Sequence, residues 1–158
     1  MRERFSPLAF IICIAIPLIV GGCSSLLTKN AMISFNSMNK PPLAPPGWLF
    51  PVAWTILYVL MGIASYKIYK TDDDMRQLAM LIYGIQLVMN FLWSIIFFNM
   101  DLYWLAFVWL MIMWCMIIIL VFVTKQFSII AMFCLLPLAL WTTFAAYLNL
   151  MIAIMNPS

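Results

Sequence analysis

The sequence predicts an all-α integral membrane protein: a bundle of five transmembrane helices with a long loop between helices 1 and 2. Composition is the first reason, because 67% of the residues are hydrophobic and only 8% are charged, against about 45–50% and about 25% in soluble domains. The second is that the apolar residues gather into five runs. Each run reaches the roughly 20 residues that a spanning helix needs. We therefore treat residues 1–158 as a single transmembrane domain in a lipid bilayer.

The predicted spans follow one another closely, with one exception. Their approximate bounds are 7–28, 49–69, 76–99, 102–124 and 128–154. Pro17 in the first span and Pro137 in the fifth are expected to kink their helices, which membrane helices tolerate. The exception is the connection formed by residues 29–48, which is predicted to be a long loop. Because long loops carry function more often than short turns do, any loop function is expected there.

The basic residues predict the orientation of the bundle. Six of them fall on the same side of the bundle as the N-terminus: Arg2, Arg4, Lys67, Lys70, Arg76 and Lys125. Only Lys29 and Lys40 fall at the opposite end. The positive-inside rule then predicts a multi-pass protein of the cell membrane with its N-terminus in the cytoplasm and the loop outside. The net charge of +3 comes from scattered residues, which argues against a nucleic-acid partner.

The first span has two interpretations. A basic N-terminus, an apolar run and then Gly21-Gly22-Cys23 resemble a bacterial lipoprotein signal, which would be cleaved and acylated at Cys23. Gly21 fits that signal poorly, and cleavage would remove one helix of the five. The favoured interpretation is a first helix in which Gly21 and Gly22 pack closely against a neighbour. The fate of Cys23 stays open.

The residue types argue against several kinds of site. The chain has no histidine and its four cysteines form no CxxC pair, so we expect no metal site and no required cofactor. No charged side chain falls deep in a predicted span. Ion-coupled transporters and proton pumps usually need such intramembrane charges, so active transport is disfavoured.

An aromatic face stands where the predicted loop enters the second span. Four prolines fall within residues 41–46, and each fixes one backbone dihedral of the loop. In the helix that follows, Phe50, Trp54 and Tyr58 recur at i, i+4 and i+8, a spacing that aligns side chains on one face. A stiff loop beside an aromatic wall inside a membrane predicts a lid over a binding site for a flat, hydrophobic ligand.

The third and fifth spans present similar faces. The face of the third span carries Gln86, Asn90, Trp93 and Phe97, and that of the fifth carries Trp141, Ala145, Leu148 and Asn149. Amides in hydrocarbon lose free energy unless they are paired. Two interpretations stay open: the amides bond across helices and the aromatic rings fill the core, or both groups meet a ligand.

Three blocks of the chain carry a family resemblance. They are KPPLAPPGWLFPVAWTILYVLMGIA at 40–64, QLVMNFLWSIIFF at 86–98 and LLPLALWTTFAAYLN at 135–149. In this order they resemble the tryptophan-rich sensory protein family, also called the translocator protein or peripheral benzodiazepine receptor family. The resemblance covers essentially the whole chain. It implies a five-helix membrane protein, often a homodimer, in which the first loop caps a cavity.

The resemblance also implies ligands and contact residues. The ligands are porphyrins, synthetic aromatic amides of the isoquinoline carboxamide and benzodiazepine types and, in animals, cholesterol. Trp54, Asn90, Trp141 and Ala145 would line the pocket, and Pro45 with Pro46 would shape its lid.

Some positions depart from the family pattern. Phe35 and Asn36 stand where many members have Trp-Tyr, and Leu138 replaces a tyrosine. No basic residue follows Tyr147, so the animal cholesterol motif is absent.

Together the residues and the resemblance predict a protein that binds tetrapyrroles and promotes light- and oxygen-dependent degradation of protoporphyrin. The candidate ligand-binding residues are Pro45, Phe50, Trp54, Tyr58, Gln86, Asn90, Trp93, Phe97, Trp141, Ala145 and Leu148. Aromatic rings can stack on a porphyrin, the amides can hydrogen-bond to its edge, and Lys40 can approach a carboxylate. Trp54 and Trp141 are the candidate catalytic residues, because indole is easily oxidised beside an excited pigment.

Whether the protein is an enzyme stays open at this point. One alternative is a passive carrier of porphyrins or other hydrophobic molecules. The other is a non-catalytic stress sensor that acts through a partner protein.

Overall fold

Five long helices and one short helix make up residues 4–157, the part of the chain that the computed structural model describes. Their bounds are α1 Pro7–Leu27, α2 Ala31–Ser37, α3 Leu49–Lys70, α4 Arg76–Phe98, α5 Tyr103–Lys125 and α6 Ile129–Met155. All except α2 are long and apolar enough to cross a membrane. The all-helical prediction and the five spans are therefore confirmed, and each span lies within one residue of its predicted bounds.

The prediction of one long loop at 29–48 is wrong. Residues Ala31–Ser37 form α2, and only a three-residue turn separates it from α1. The physical reason is burial on one helical face, since Ala31 and Phe35 are four residues apart and both are buried against the bundle. The loop that remains, residues 38–48, contains all four prolines of the 41–46 segment.

The five spans form a closed ring. Going round it, α1 packs against α3, α3 against α6, α6 against α5, α5 against α4, and α4 against α1. The short helix α2 lies against α4 at one end of the ring. Short turns connect α3 through α6, so successive spans run in opposite directions. In the α4–α5 turn, Asp101 adopts a left-handed backbone with φ of 53°, and Asn99 donates from Nδ2 to the carbonyl of Leu27 at 2.9 Å.

The packed core lies on the inward faces of the ring. Its fully buried large apolar side chains are Met61, Ile68, Leu110, Met113, Ile117, Leu120, Leu135, Leu138 and Ile152. Many other large apolar side chains remain exposed on the outside of the ring. In a bilayer those side chains meet lipid tails, so their exposure is favourable. Pro17 and Pro137 both lie inside continuous helices.

Helices α1 and α3 approach each other closely at two glycines. A Cβ atom on Gly62 would lie 2.6 Å from the Cα of Ile14 and 2.9 Å from the carbonyl oxygen of Cys13. A Cβ atom on Gly21 would collide with the ring of Tyr58, whereas one on Gly22 would meet nothing within 4 Å. The expected close packing therefore holds for Gly21, and for Gly22 it is wrong.

The two ends of the ring differ in their number of basic residues, as the sequence predicts. Lys67, Lys70, Arg76 and Lys125 lie at the end where α1 begins, and Lys29 lies at the other. Arg2 lies outside the described residues. The cytoplasmic N-terminus stays a prediction.

Candidate functional site

A cavity of about 390 Å³ opens between α1, α2, α3 and α4, at the end of the ring where α2 lies. We call it the aromatic cavity. Its aromatic lining residues are Phe50, Trp54, Tyr58, Trp93 and Phe98, and its polar ones include Ser24, Ser25, Thr28, Lys29, Thr55 and Ser94. Small-molecule pockets are typically about 300–1,000 Å³, mostly apolar, with a few polar groups that fix orientation. The aromatic cavity fits that description.

The aromatic face predicted on the second span forms one wall of this cavity. Trp54 and Tyr58 have ring centroids 5.6 Å apart. Trp141 of α6 extends the wall into the interior, with its centroid 5.9 Å from that of Phe50 and 6.4 Å from that of Trp54. These separations lie in the range of favourable aromatic pairs. Four rings from two helices thus form a continuous surface that begins in the cavity.

The predicted residues of α4 divide between the cavity and the interior. Trp93 lines the cavity, and Phe97 stacks behind it at 5.3 Å. The indole N–H of Trp93 donates to Oδ1 of Asn149 at 3.1 Å, while Nδ2 of Asn149 donates to the carbonyl of Tyr103 at 2.9 Å. Asn149 therefore ties α4, α5 and α6 together and fixes the Trp93 ring.

The other two amides, Gln86 and Asn90, are buried on α4 but are not fully paired. The hydroxyl of Tyr58 donates to Oδ1 of Asn90 at 3.4 Å. Several other buried polar atoms have no hydrogen-bond partner among the described residues. They are Nδ2 of Asn90, both amide atoms of Gln86, the hydroxyl of Tyr83 and Nε1 of Trp141. Buried polar groups in proteins almost always have a partner, in the protein, in water or in a ligand. None of these four side chains lines the aromatic cavity.

Several predicted ligand-binding residues do not line the cavity. Pro45 lies in the loop of residues 38–48, outside the lining. Ala145 and Leu148 are buried on the inward face of α6, also outside the lining. The other predicted residues outside the lining are Gln86, Asn90, Phe97 and Trp141. Phe50, Trp54, Tyr58 and Trp93 are the predicted residues that the structure brings to the cavity surface.

The contribution of α1 to the lining was not predicted. Ser24, Ser25 and Thr28 face the cavity from the last turns of α1. A signal for them exists in the sequence, because three hydroxyl residues interrupt the end of an otherwise apolar span. The hydroxyl of Thr28 donates to the carbonyl of Ser24 at 2.8 Å, which leaves its lone pairs free to accept.

Lys29, rather than Lys40, is the lysine of the aromatic cavity. Lys29 lies in the lining, and no carboxylate does. Lys40 instead places its ammonium nitrogen 4.9 Å from the centre of the Phe35 ring, a cation–π contact. Phe35 in turn packs edge-on against Phe50 with centroids 4.9 Å apart. Lys40 thus holds α2 in place, and Lys29 is free to meet an anionic group.

The cover of the cavity is α2, and the proline loop is anchored elsewhere. The backbone N–H of Asn39 donates to Oδ1 of Asn156 at 3.1 Å, and Nδ2 of Asn156 donates back to the carbonyl of Asn39 at 2.9 Å. This pair of bonds ties the start of the loop to the end of α6. The loop therefore fixes one side of α2, and the turn from α1 fixes the other.

Comparison with known proteins decides the family. The TspO/MBR family model matches residues 13–155. This chain belongs to the TspO/MBR family. The tryptophan-rich protein TspO of Chlorobaculum tepidum is 34% identical over 160 residues, covering 99% of this chain and 100% of that protein.

Relatives extend to archaea and mammals. The tryptophan-rich protein TspO of Archaeoglobus fulgidus is 34% identical over 142 residues, covering 88% of this chain and 91% of that protein. The translocator protein of Ovis aries is 34% identical over 118 residues, covering 73% and 70%. The resemblance drawn from the sequence is confirmed, and with the five apolar helices it makes the chain a multi-pass membrane protein.

The seven tryptophans of this TspO/MBR protein fall into three groups. Those at the site are Trp54, Trp93 and Trp141. Trp109 donates to the carbonyl of Met89 at 2.9 Å and Trp114 to the hydroxyl of Thr143 at 2.8 Å, so these two hold helix seams together. Trp48 and Trp104 are exposed at helix ends, where indole rings anchor proteins to the bilayer interface.

The described part of the chain contains no candidate metal site. Within residues 4–157, no group of three or more His, Cys, Asp or Glu side chains comes together. The cysteines, including Cys23 on the outside of α1, are unpaired. The absence of a required cofactor stays a prediction.

Proposed function

We propose that this TspO/MBR protein binds tetrapyrroles such as protoporphyrin in the aromatic cavity and promotes their light- and oxygen-dependent degradation. One observation carries the proposal: a cavity of pocket size is walled by Phe50, Trp54 and Tyr58, and polar groups line its rim. A tetrapyrrole is a flat aromatic ring with polar nitrogens and two carboxylates. The cavity offers complementary groups for each of these features.

Binding would combine stacking with a few polar contacts. The rings of Phe50, Trp54 and Phe98 offer apolar aromatic area for the macrocycle. Hydroxyl groups of Ser25, Thr28 and Ser94 in the lining can hydrogen-bond to its edge. Nδ2 of Asn90 and Nε1 of Trp141 lie outside the lining and would become donors only after the aromatic side chains in front of them move. Lys29 at the cavity rim would attract a carboxylate.

Degradation would use Trp54 as the first electron donor. Light excites the pigment, and the indole gives it one electron, leaving an indole radical cation and a pigment radical anion. Dioxygen takes that electron and becomes superoxide, which restores the neutral pigment. The indole cation then oxidises the ground-state pigment, and superoxide adds to the pigment cation. The net reaction adds one O₂ to the pigment and leaves the indole unchanged.

Trp141 would extend the redox path. Its ring centroid lies 6.4 Å from that of Trp54, close enough for the radical to be shared between the two indoles. The pigment absorbs the light and reacts with oxygen, and the protein supplies binding and orientation.

Neutral aromatic amides of the isoquinoline carboxamide and benzodiazepine types are proposed as further ligands of this cavity. Their rings suit the same wall, and their carbonyl oxygens could accept from hydroxyl groups of the lining. They carry no carboxylate, so Lys29 should contribute little to their binding. We also propose a homodimer with each N-terminus in the cytoplasm, in line with the resemblance and the positive-inside rule.

The test is a titration followed by illumination. Intrinsic tryptophan fluorescence of the purified protein is measured in the dark as protoporphyrin is added, and pigment absorbance is then followed under light in air. We expect saturable quenching and then protein-dependent loss of pigment. Trp54→Phe and Trp141→Phe should keep dark binding and slow the loss, while Trp48→Phe, at an exposed helix end, should change neither.

Each step of the proposal can fail separately. Quenching that does not saturate would refute tetrapyrrole binding. Saturable quenching without light-dependent loss would refute the degradation and leave a carrier or a sensor. Unchanged bleaching in both tryptophan variants would remove Trp54 and Trp141 from the mechanism.

A further inference from the structure

A second cavity, of about 570 Å³, lies at the opposite end of the ring from the aromatic cavity. We call it the basic groove. The residues that line it come from the N-terminal segment, the end of α3 and the start of α6: Phe5, Tyr66, Lys67, Lys70, Thr71, Phe127, Ser128, Ile129 and Ile130. It shares no residue with the aromatic cavity. Nothing in the proposed tetrapyrrole chemistry uses it.

Two lysines give the groove its charge. Lys67 and Lys70 are three residues apart in the last turn of α3, so their side chains leave the helix on one face. Both are half-buried, and no lining residue is acidic. Three aspartates follow Thr71 in the chain but do not line the groove. One of them, Asp73, accepts a hydrogen bond from the backbone N–H of Met75 at 2.8 Å, at the start of α4.

The start of α6 adds to the positive potential. Ser128 caps this 27-residue helix, and its hydroxyl accepts from the N–H of Ala131 at 3.2 Å. The N–H groups of Ile129 and Ile130 belong to the same first turn, for which the helix itself offers no acceptor. Both residues line the groove. An anion between α3 and α6 would therefore meet lysines on one side and a helix N-terminus on the other.

The remaining walls are apolar. Phe5 and Phe10 both pack edge-on against Tyr66, with centroids 5.8 and 5.2 Å away. The backbone N–H of Ser6 donates to the Tyr66 hydroxyl at 3.0 Å, which pins the N-terminal segment over the groove. Ile129 and Ile130 extend outward from it and are more than half exposed. A charged region thus continues directly into an apolar surface at the end of the spans.

We propose that the basic groove binds an anionic phospholipid. The phosphate sits between Lys67, Lys70 and the first turn of α6, and the acyl chains run along Phe5 and the two isoleucines. Basic pockets between spans on the cytoplasmic side bind lipid headgroups in this way. Lysines at span ends commonly extend to the headgroup layer one at a time, without forming a site. Here two lysines and a helix N-terminus border the same cavity, which selects for negative charge.

The test compares lipids on the detergent-solubilised full chain. Thermal stability is followed by intrinsic fluorescence as dioleoyl-phosphatidylglycerol, dioleoyl-phosphatidylcholine or inorganic phosphate is added. Native mass spectrometry counts bound lipid independently of stability. We expect saturable stabilisation by phosphatidylglycerol only. A lysine beside an anionic membrane surface contributes about fivefold in affinity, so Lys67→Gln/Lys70→Gln together should weaken binding by roughly 25-fold.

Two control variants separate the groove from general charge and from misfolding. Lys125→Gln removes a lysine at the same end of the ring but outside the groove and should bind normally. Lys67→Arg/Lys70→Arg keeps the charge and should retain most of the affinity. An equal loss in Lys125→Gln, equal binding of phosphatidylcholine, or saturation by inorganic phosphate at the same concentration would each overturn the proposal.

Discussion

Replacing Gly62 with alanine should destabilise the bundle by forcing α1 away from α3. The new Cβ atom would lie 2.6 Å from the Cα of Ile14 and 2.9 Å from the carbonyl oxygen of Cys13. Both neighbours are backbone atoms, so no side-chain rotation can relieve the contact. Only a shift of one helix against the other can do so. The change therefore tests whether these two helices are in backbone contact.

The magnitude follows from two opposing effects. Alanine is a better helix former than glycine by about 0.5–1 kcal/mol. Overpacking a tight interior costs about 1–3 kcal/mol, and a contact with rigid backbone belongs at the upper end. The net effect is a loss of about 2–2.5 kcal/mol, which corresponds to a fall of roughly 4–10 °C in melting temperature. Tyr58 lies one helical turn away, so the aromatic cavity should be disturbed as well.

Melting of the purified protein in detergent measures this effect, and two other glycines provide matched controls. A Cβ atom on Gly22 or Gly84 would meet nothing within 4 Å. Gly22→Ala and Gly84→Ala should therefore melt at or slightly above the wild-type temperature. A Gly62→Ala protein as stable as these two would refute the close approach of α1 and α3.

The remaining predictions concern the aromatic cavity. Lys29→Gln should weaken protoporphyrin binding by up to about fivefold, the upper range of an exposed ion pair, and leave its dimethyl ester unaffected; the fluorescence titration measures both, and equal losses would contradict the ion pair. Lys40→Gln is the matched lysine control and should show no preference between acid and ester. Asn156→Ala should release the proline loop and speed ligand dissociation in stopped-flow measurements, and an unchanged rate would show that the loop does not control access. Tyr58→Phe leaves Oδ1 of Asn90 unpaired and should lower stability by about 1 kcal/mol in the melting assay; an unchanged melting temperature would show that this 3.4 Å hydrogen bond contributes nothing.

The features of the fold that follow from apolar runs and from helical periodicity could be predicted from the sequence. Apolar runs fixed the bounds of all five spans, because a bilayer imposes its thickness on each one. The spacing of Phe50, Trp54 and Tyr58 placed three rings on one face, since helical geometry fixes that relation. Neither conclusion needs to know which helices are neighbours.

The features that depend on which helices pack against each other could not be predicted from the sequence. Helix α2 has seven residues, too few to be stable by propensity alone, and it exists because Phe35 packs against Phe50. Gly21 and Gly22 are adjacent in sequence, yet only the first faces another helix. The hydroxyls that α1 gives to the cavity follow from its position beside α3 and α4, which hydropathy does not encode.

The buried amides show why both interpretations of the sequence were needed. Asn149 fits the interpretation in which amides bond across helices. Its side-chain oxygen and nitrogen form hydrogen bonds to α4 and α5 and hold three helices together. Asn90 and Gln86, on the inward face of α4, leave three of their four amide atoms unpaired among the described residues. Each unpaired buried group lowers stability by about 1–3 kcal/mol. The bundle thus satisfies one amide completely and leaves the other two incompletely paired, which is the kind of local inconsistency that natural proteins retain at functional sites.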